Sequence, residues 1–194
     1  MTVVVAVTCN DGTVVMGGDS FCGDEDLVNV CRADKVYLVG PVGVGICGSV
    51  RSEQLLDRVL REHIPEKKEI SEEWLRNDFT DFLHDAMKEH GSMHDREGTH
   101  EMRDSHYIIV FDGVTYYLET DFSLWESRRP LAAIGIGRKI AYGAMGAMLS
   151  TLGGELPDVE FAENMVRTAL AVSAEWSPWV VPPFTVITVP PNAE

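Results

Sequence analysis

Gly43-Val44-Gly45-Ile46-Cys47-Gly48 is the stretch of this 194-residue sequence that looks most like a ligand-binding loop. A G-x-G-x-x-G spacing lets backbone N–H groups approach a phosphate at the start of a helix. The setting argues against a dinucleotide, because the strands ahead read as a hairpin turning at Gly40-Pro41, and no parallel βαβ alternation follows. What remains is a strand that brings its last N–H groups to a helix N-terminus, where negative charge is stabilised. That is an oxyanion site in need of a nucleophile. The chain has no G-x-S-x-G elbow, and no His or Cys stands in a familiar nucleophile context. Thr2 fills the gap. Removal of Met1 would leave it with a hydroxyl and a free α-amine on one residue, and an amine of pKa about 7.7–8.0 can act as general base near neutrality. A neighbouring cation would lower that pKa further.

Two other sets of residues could carry chemistry, and both read as structural. His90, His94, His100 and His106 fall with Met93 and Met102 in a polar segment, without H-E-x-x-H context, so a surface loop is expected there and no metal site. Cys9, Cys22, Cys31 and Cys47 lack C-x-x-C spacing and lie in or near strand-like segments, which predicts reduced thiols. The formal net charge is −15, spread along the chain rather than gathered in a tail. That excludes the clustered Lys and Arg on which nucleic-acid or anionic-membrane partners depend, and it favours solubility. No apolar run is long enough to span a bilayer, and the Val-rich start lacks the basic region of a signal peptide, so a cytoplasmic location is expected.

The elements that must position Thr2 follow from periodicity. Residues 2–9 and 13–18 form a hairpin turning at Asn10-Asp11-Gly12. Lys35–Val39 and Gly43–Cys47 form a second, apolar on both faces as expected for a covered sheet. Ser49 to His63 carries Val50, Leu55, Leu56, Val59 and Leu60 at helical spacing, with Ser49 or Ser52 as N-cap. A second helix starts at Ser71 and presents Trp74, Leu75, Phe79, Phe82, Leu83 and Met87 as a core stripe. Strands resume at Tyr107–Phe111 and Val114–Leu118, with another at Leu131–Ile136. Helices are expected over Lys139–Leu152 and Phe161–Trp176, and a last strand over Phe184–Val189. Hairpins joined by short turns build largely antiparallel sheets, each followed by a helical pair that can cover one face. The prediction is an α+β fold: one domain over residues 1–194, a four-layer α-β-β-α sandwich of two largely antiparallel sheets, with a polar surface insert around 90–105.

In register with those elements, the sequence resembles proteasome β-type subunits and the HslV-like peptidases of the N-terminal-nucleophile hydrolase superfamily. The resemblance rests on Thr2 at the start of a strand, Asp19 in "VVMGGDS", Lys35 in "RADKVYLVG" and Gly48 in "GICGSVRSEQLL". The stretch "AAIGIGRKIAYGAMGAML" is similar to the family's strand-to-helix junction, and the likeness spans nearly the whole chain. It implies that Thr2 Oγ1 attacks a carbonyl while its amine takes the proton. Lys35, held by Asp19, tunes that pair, and the Gly48 N–H steadies the oxyanion. Gly137 and Ser177 fall in the substrate and oxyanion vicinity. The implied protein is a threonine endopeptidase without cofactor or metal, acting on peptides or unfolded protein in a homo-oligomeric ring, with an AAA+ unfoldase as partner.

The sequence departs from the family at two places. The family usually carries a serine between the glycines of the junction, where Ile136 cannot hydrogen-bond through its side chain. Proteasome subunits also place an Asp and a Ser near the nucleophile, where this chain has Ser177 and Val180 within "EWSPWVVPPF". The first departure points to a slower enzyme or to a catalytically silent shell or scaffold subunit. The shared chemistry of the superfamily leaves a small-molecule amidase as a further alternative.

Overall fold

The computed structural model describes residues 2–23, 28–30, 34–65, 70–96, 99–102 and 105–191. The strands β1 (Val3–Thr8), β2 (Val14–Gly18), β3 (Phe21–Gly23), β4 (Val28–Val30), β5 (Val36–Val39) and β6 (Val42–Cys47) lead into α1 (Val50–His63). Next come α2 (Glu72–Trp74), a π-helical turn (Leu75–Phe79) and α3 (Thr80–Glu89) as one continuous helical run. The strands β7 (Met93–Arg96), β8 (Thr99–Met102), β9 (His106–Phe111), β10 (Val114–Leu118), β11 (Leu124–Glu126) and β12 (Leu131–Gly135) precede α4 (Arg138–Ser150) and α5 (Val159–Trp176), and β13 (Thr185–Val189) closes the fold.

Two main sheets form, in the orders β12-β1-β2-β13 and β11-β10-β9-β6-β5, and every pairing in them is antiparallel. Side chains of period two assign the layers. Val3, Val5 and Val7 of β1 point to the core shared with α4 and α5, while Val4 and Ala6 point to the opposite sheet. On β9, Tyr107, Ile109 and Phe111 pack under α1 and α3, while Ile108 and Val110 meet the first sheet. Three apolar cores therefore separate four layers, and the α-β-β-α sandwich expected from the sequence is what the chain forms.

The strands are distributed less sequentially than expected. The first hairpin, β1–β2, takes its sheet partners from the far end of the chain, β12 and β13. The second hairpin joins the other sheet through β9. The expected polar loop at 90–105 is instead a hairpin, with β7 and β8 paired from Met93↔Met102 to Arg96↔Thr99. Met102 is fully buried in the helix-covered core and its N–H donates to Thr120 O (2.7 Å), so two methionines anchor an otherwise polar excursion. Of the expected core stripe, Phe82 is exposed and stacks on His63, with ring centroids 4.2 Å apart. Val50, read as part of the first helix's apolar face, is exposed as well.

Capping explains most helix boundaries. The Ser71 hydroxyl accepts from Trp74 N (3.1 Å) as expected. Ser49 stands at the N-cap of α1 without a side-chain bond, and Ser52 is buried within the helix. Asp158 accepts from Phe161 N (2.8 Å) and starts α5 at Val159, ahead of the apolar pattern. Among the described residues no helix is long and apolar enough to cross a membrane. Cys9 and Cys47 are buried free thiols, and Cys31 lies outside the described residues.

The glycines of the G-x-G-x-x-G stretch have a packing role. Gly43 and Gly45 face the other sheet, where a Cβ on Gly43 would fall 2.5 Å from Val189 Cγ2 and one on Gly45 would fall 2.6 Å from Val4 Cγ1. They let β6 lie unusually close to β1 and β2. Gly45→Ala should therefore lower the unfolding free energy by about 1–3 kcal/mol, as overpacking does. In Gly146→Ala a Cβ on α4 meets nothing within 4 Å. That variant should gain about 0.5–1 kcal/mol. Urea unfolding of the two checks the opposite signs.

Candidate active site

Antiparallel pairing of β1 with β2 sets Val4 opposite Gly18, which puts the start of one strand beside the end of the other. Thr2 and Asp19, the residues flanking that register, are thereby neighbours, and both are almost wholly buried. Lys35 comes from the other sheet, just ahead of β5. A Cβ on Gly18 would lie only 3.2 Å from Lys35 Cβ, so the bare glycine leaves room for the lysine to cross over.

The three side chains meet. Thr2 Oγ1 donates to Asp19 Oδ1 and accepts from Lys35 Nζ, and Lys35 Nζ lies 3.1 Å from the same carboxylate oxygen. Asp19 accepts five hydrogen bonds: those from Thr2 and Lys35, and backbone ones from Val3 N (3.1 Å), Phe21 N (3.0 Å) and Val181 N (3.2 Å). Such a carboxylate is fixed in place, and it fixes the threonine hydroxyl.

The main chain of Thr2 is held as tightly. Its carbonyl accepts from Gly137 N (3.3 Å). Gly135, at φ +90°, lies against that carbonyl, where a Cβ would fall 2.3 Å from Thr2 O. Only glycine fits there, on both counts. Gly137 is buried against Val3 and Val180, whereas Ile136 between the two glycines is half exposed. The clasp on Thr2 is thus made by backbone and does not draw on the side chain at 136.

A cleft of about 170 Å³ opens over Thr2. Lys35, Gly48, Ser49 and Val50 line it together with Phe21, Cys22 and Gly23 of β3. Gly48, at φ +140°, joins β6 to α1 at its edge. Glu53 also faces the cleft, and burial, helped by the charge of Asp57 and opposed by Lys35, pushes its carboxyl up. Cys47 lies just beneath, its Sγ 3.2 Å from the Cβ position of Gly135, and burial pushes its thiol up, away from a reactive thiolate.

Of the residues singled out in the sequence, Thr2, Lys35 and Gly48 line this cleft, Asp19 lies buried behind them bonded to Thr2 and Lys35, and the Gly137 N–H holds the Thr2 carbonyl. Ser177 does not join them directly. Its hydroxyl is taken up in its own turn, accepting from Trp179 N (3.4 Å), and that turn delivers Val181 N to Asp19. The donors Val181 and Phe21 were missed by the sequence reading, since a backbone N–H has no residue signature. Removal of Met1 concerns a residue outside the described ones.

The fold is that of the proteasome-type N-terminal-nucleophile hydrolases. Thiobacillus denitrificans BPH superposes with a TM-score of 0.79 over 100% of both chains, at 18% sequence identity. Its complex with epoxomicin gives 0.72 at 20% identity over 99% of this chain and 100% of that one. The eukaryotic HslV from Trypanosoma brucei gives 0.67 at 21% identity over 96% and 98% of the two chains. By sequence, neither a protein-family profile nor a curated protein matches the chain.

Asp19→Ala removes the acceptor of five bonds from a buried site and should cost about 3–5 kcal/mol of stability, the range for breaking a buried ionic arrangement. The midpoint of urea unfolding reads it directly, and an unmoved midpoint would mean that the donors find other partners.

Proposed function

We propose that this chain is an N-terminal-threonine hydrolase that cleaves peptide bonds. One observation carries the reading: Thr2 Oγ1 sits between the Asp19 carboxylate and the Lys35 ammonium, beneath an open cleft. The working form is the one in which the bond ahead of Thr2 has been cut, so that its nitrogen is an amine.

Each group then has a task. Thr2 Oγ1 attacks the carbonyl carbon of the scissile bond, and its proton passes to the Thr2 amine, directly or through water. The cation at Lys35 favours the developing alkoxide, and Asp19 holds the lysine where it can act. The Gly48 N–H steadies the oxyanion as the tetrahedral centre forms. Collapse breaks the C–N bond, the leaving amine takes the proton, and an ester on Thr2 remains. Water, deprotonated by the same amine, hydrolyses that ester and restores the hydroxyl. The extended β3 edge alongside the cleft suits a peptide lying as an added strand.

A peptide-cutting nucleophile beneath an open cleft is a hazard to its surroundings, which favours a self-compartmentalising ring of identical subunits fed by an AAA+ unfoldase. The silent scaffold is the second reading, and the half-exposed Ile136 favours it, since it offers no hydroxyl to hold the amine's proton or water.

Incubation with an epoxyketone such as epoxomicin, followed by peptide mass mapping, should place the adduct on Thr2. Thr2→Ala should abolish hydrolysis of fluorogenic peptides, and Lys35→Ala should lower turnover by at least about 100-fold, as loss of transition-state charge stabilisation does. Light scattering should give a closed oligomer. A purified chain that retains a residue ahead of Thr2, with equal activity in wild type and Thr2→Ala, would overturn the enzyme reading in favour of the scaffold.

A further inference from the structure

A second cleft, of about 370 Å³, opens on the far side of the Gly135 junction, where the free edge of β12 meets β10 and β11. Its wall is an aromatic stack: the Trp125 indole lies 4.3 Å from the Tyr117 ring and 15° from parallel to it. Tyr117 is buried and Trp125 is 45% exposed, so the stack has one covered member and one available. The indole cannot swing freely, because its Nε1–H donates to Glu119 Oε1 (3.1 Å). The other oxygen of Glu119 lies 3.2 Å from His106 Nδ1. Each oxygen of that carboxylate therefore has a partner within the wall. Tyr117 and Tyr142 share a hydroxyl–hydroxyl bond (2.6 Å) and both reach Ala133 N (3.2 Å), which closes this stretch of the β12 edge to an added strand.

Arg138 supplies the guanidinium of the cleft, across from the Glu119 carboxylate already bonded to Trp125 and His106. Its Nη1 donates to Gly135 O (3.0 Å), which fixes the guanidinium and leaves its other N–H groups uncommitted to that bond. Among the described residues no carboxylate lies within ion-pair reach of it, and the first turn of α4 contains no acidic residue. What sets Arg138 apart from the other described arginines is that it lines one cleft together with a pinned indole.

The geometry points to a binding site for a peptide C-terminus that ends in an aromatic residue, its ring on Trp125 and its carboxylate on Arg138. A fixed planar fork suits a carboxylate bidentately. One guanidinium in an acidic protein matches one negative charge, which favours a carboxylate over a nucleotide's polyphosphate. Gly135 is the shared wall, touching Thr2 on one side and Arg138 on the other, so the ligand is placed next to the point where hydrolysis makes new C-termini. Only that origin of the ligand rests on the peptidase reading, and binding itself requires no turnover.

The test uses the full chain carrying Thr2→Ala, which binds without cutting, so failure of this site and failure of the peptidase reading are separate results. N-acetyl-phenylalanine is titrated while the indole Nε1–H resonance of Trp125 is followed, assigned by its loss in Trp125→Phe. A saturable shift is expected, weakened about tenfold or more in Arg138→Gln and, without any variant, for N-acetyl-phenylalaninamide, as loss of a charge-assisted bond predicts. AMP should be the weaker ligand. Equal binding of acid and amide, an unmoved Trp125 resonance, or AMP binding as tightly as the acid would each overturn the proposal.

Discussion

The Asp19 carboxylate is the constraint on which the site depends. It is buried, and an ionised oxygen out of water is tolerable only when donors replace the solvent. The chain supplies them from five places in the sequence: Thr2 and Val3 at the start of β1, Phe21 at the start of β3, Lys35 ahead of β5, and Val181 beyond α5. These five donors tie four parts of the fold to the same two oxygens. Displacing any one leaves a desolvated charge short of a partner, so the elements are held in mutual register by electrostatics as well as by packing. The threonine hydroxyl inherits its placement from this knot.

Glycines make the knot reachable. Lys35 belongs to one sheet and Asp19 to the other, and Gly18 eases their meeting because it places no Cβ against the lysine stem. Gly43 and Gly45 draw β6 onto β1 and β2, and Gly135 and Gly137 admit the Thr2 main chain. Close approach of backbones is thus the means by which a sandwich of two sheets becomes a reaction site at one of its ends. The second cleft exploits the same junction from outside, since Arg138 grips the carbonyl of the very glycine that faces Thr2.

Much of this was legible in the sequence, for physical reasons that differ by element. The hairpin from Val3 to Gly18 announces itself through two runs of apolar, valine-rich residues and the Asn-Asp-Gly turn, and a hairpin of known ends dictates that Thr2 and Asp19 meet. The start of the next hairpin at Lys35 is equally local. Which strands pair across the chain is another matter: β2 with β13 joins residues far apart in sequence, and no short-range pattern encodes it. The 90–105 hairpin hid because it is largely polar, and among its described residues the apolar ones packed on the core are Met93 and Met102. Val181 escaped because it acts through its N–H, and Trp125, Tyr117 and Tyr142 because three dispersed aromatics have no motif.

That division bears on why the fold is recognisable across solved structures at 18–21% identity while no sequence profile matches the chain. Of the contacts that hold Thr2 and Asp19, those from Val3, Phe21, Val181 and Gly137 come from main-chain N–H groups. A backbone donor tolerates almost any side chain, so substitution can proceed around it while the geometry stays. Ile136 illustrates the freedom this leaves. Its side chain turns outward while its two flanking glycines keep hold of the threonine, so the clasp survives a residue that contributes nothing polar to it.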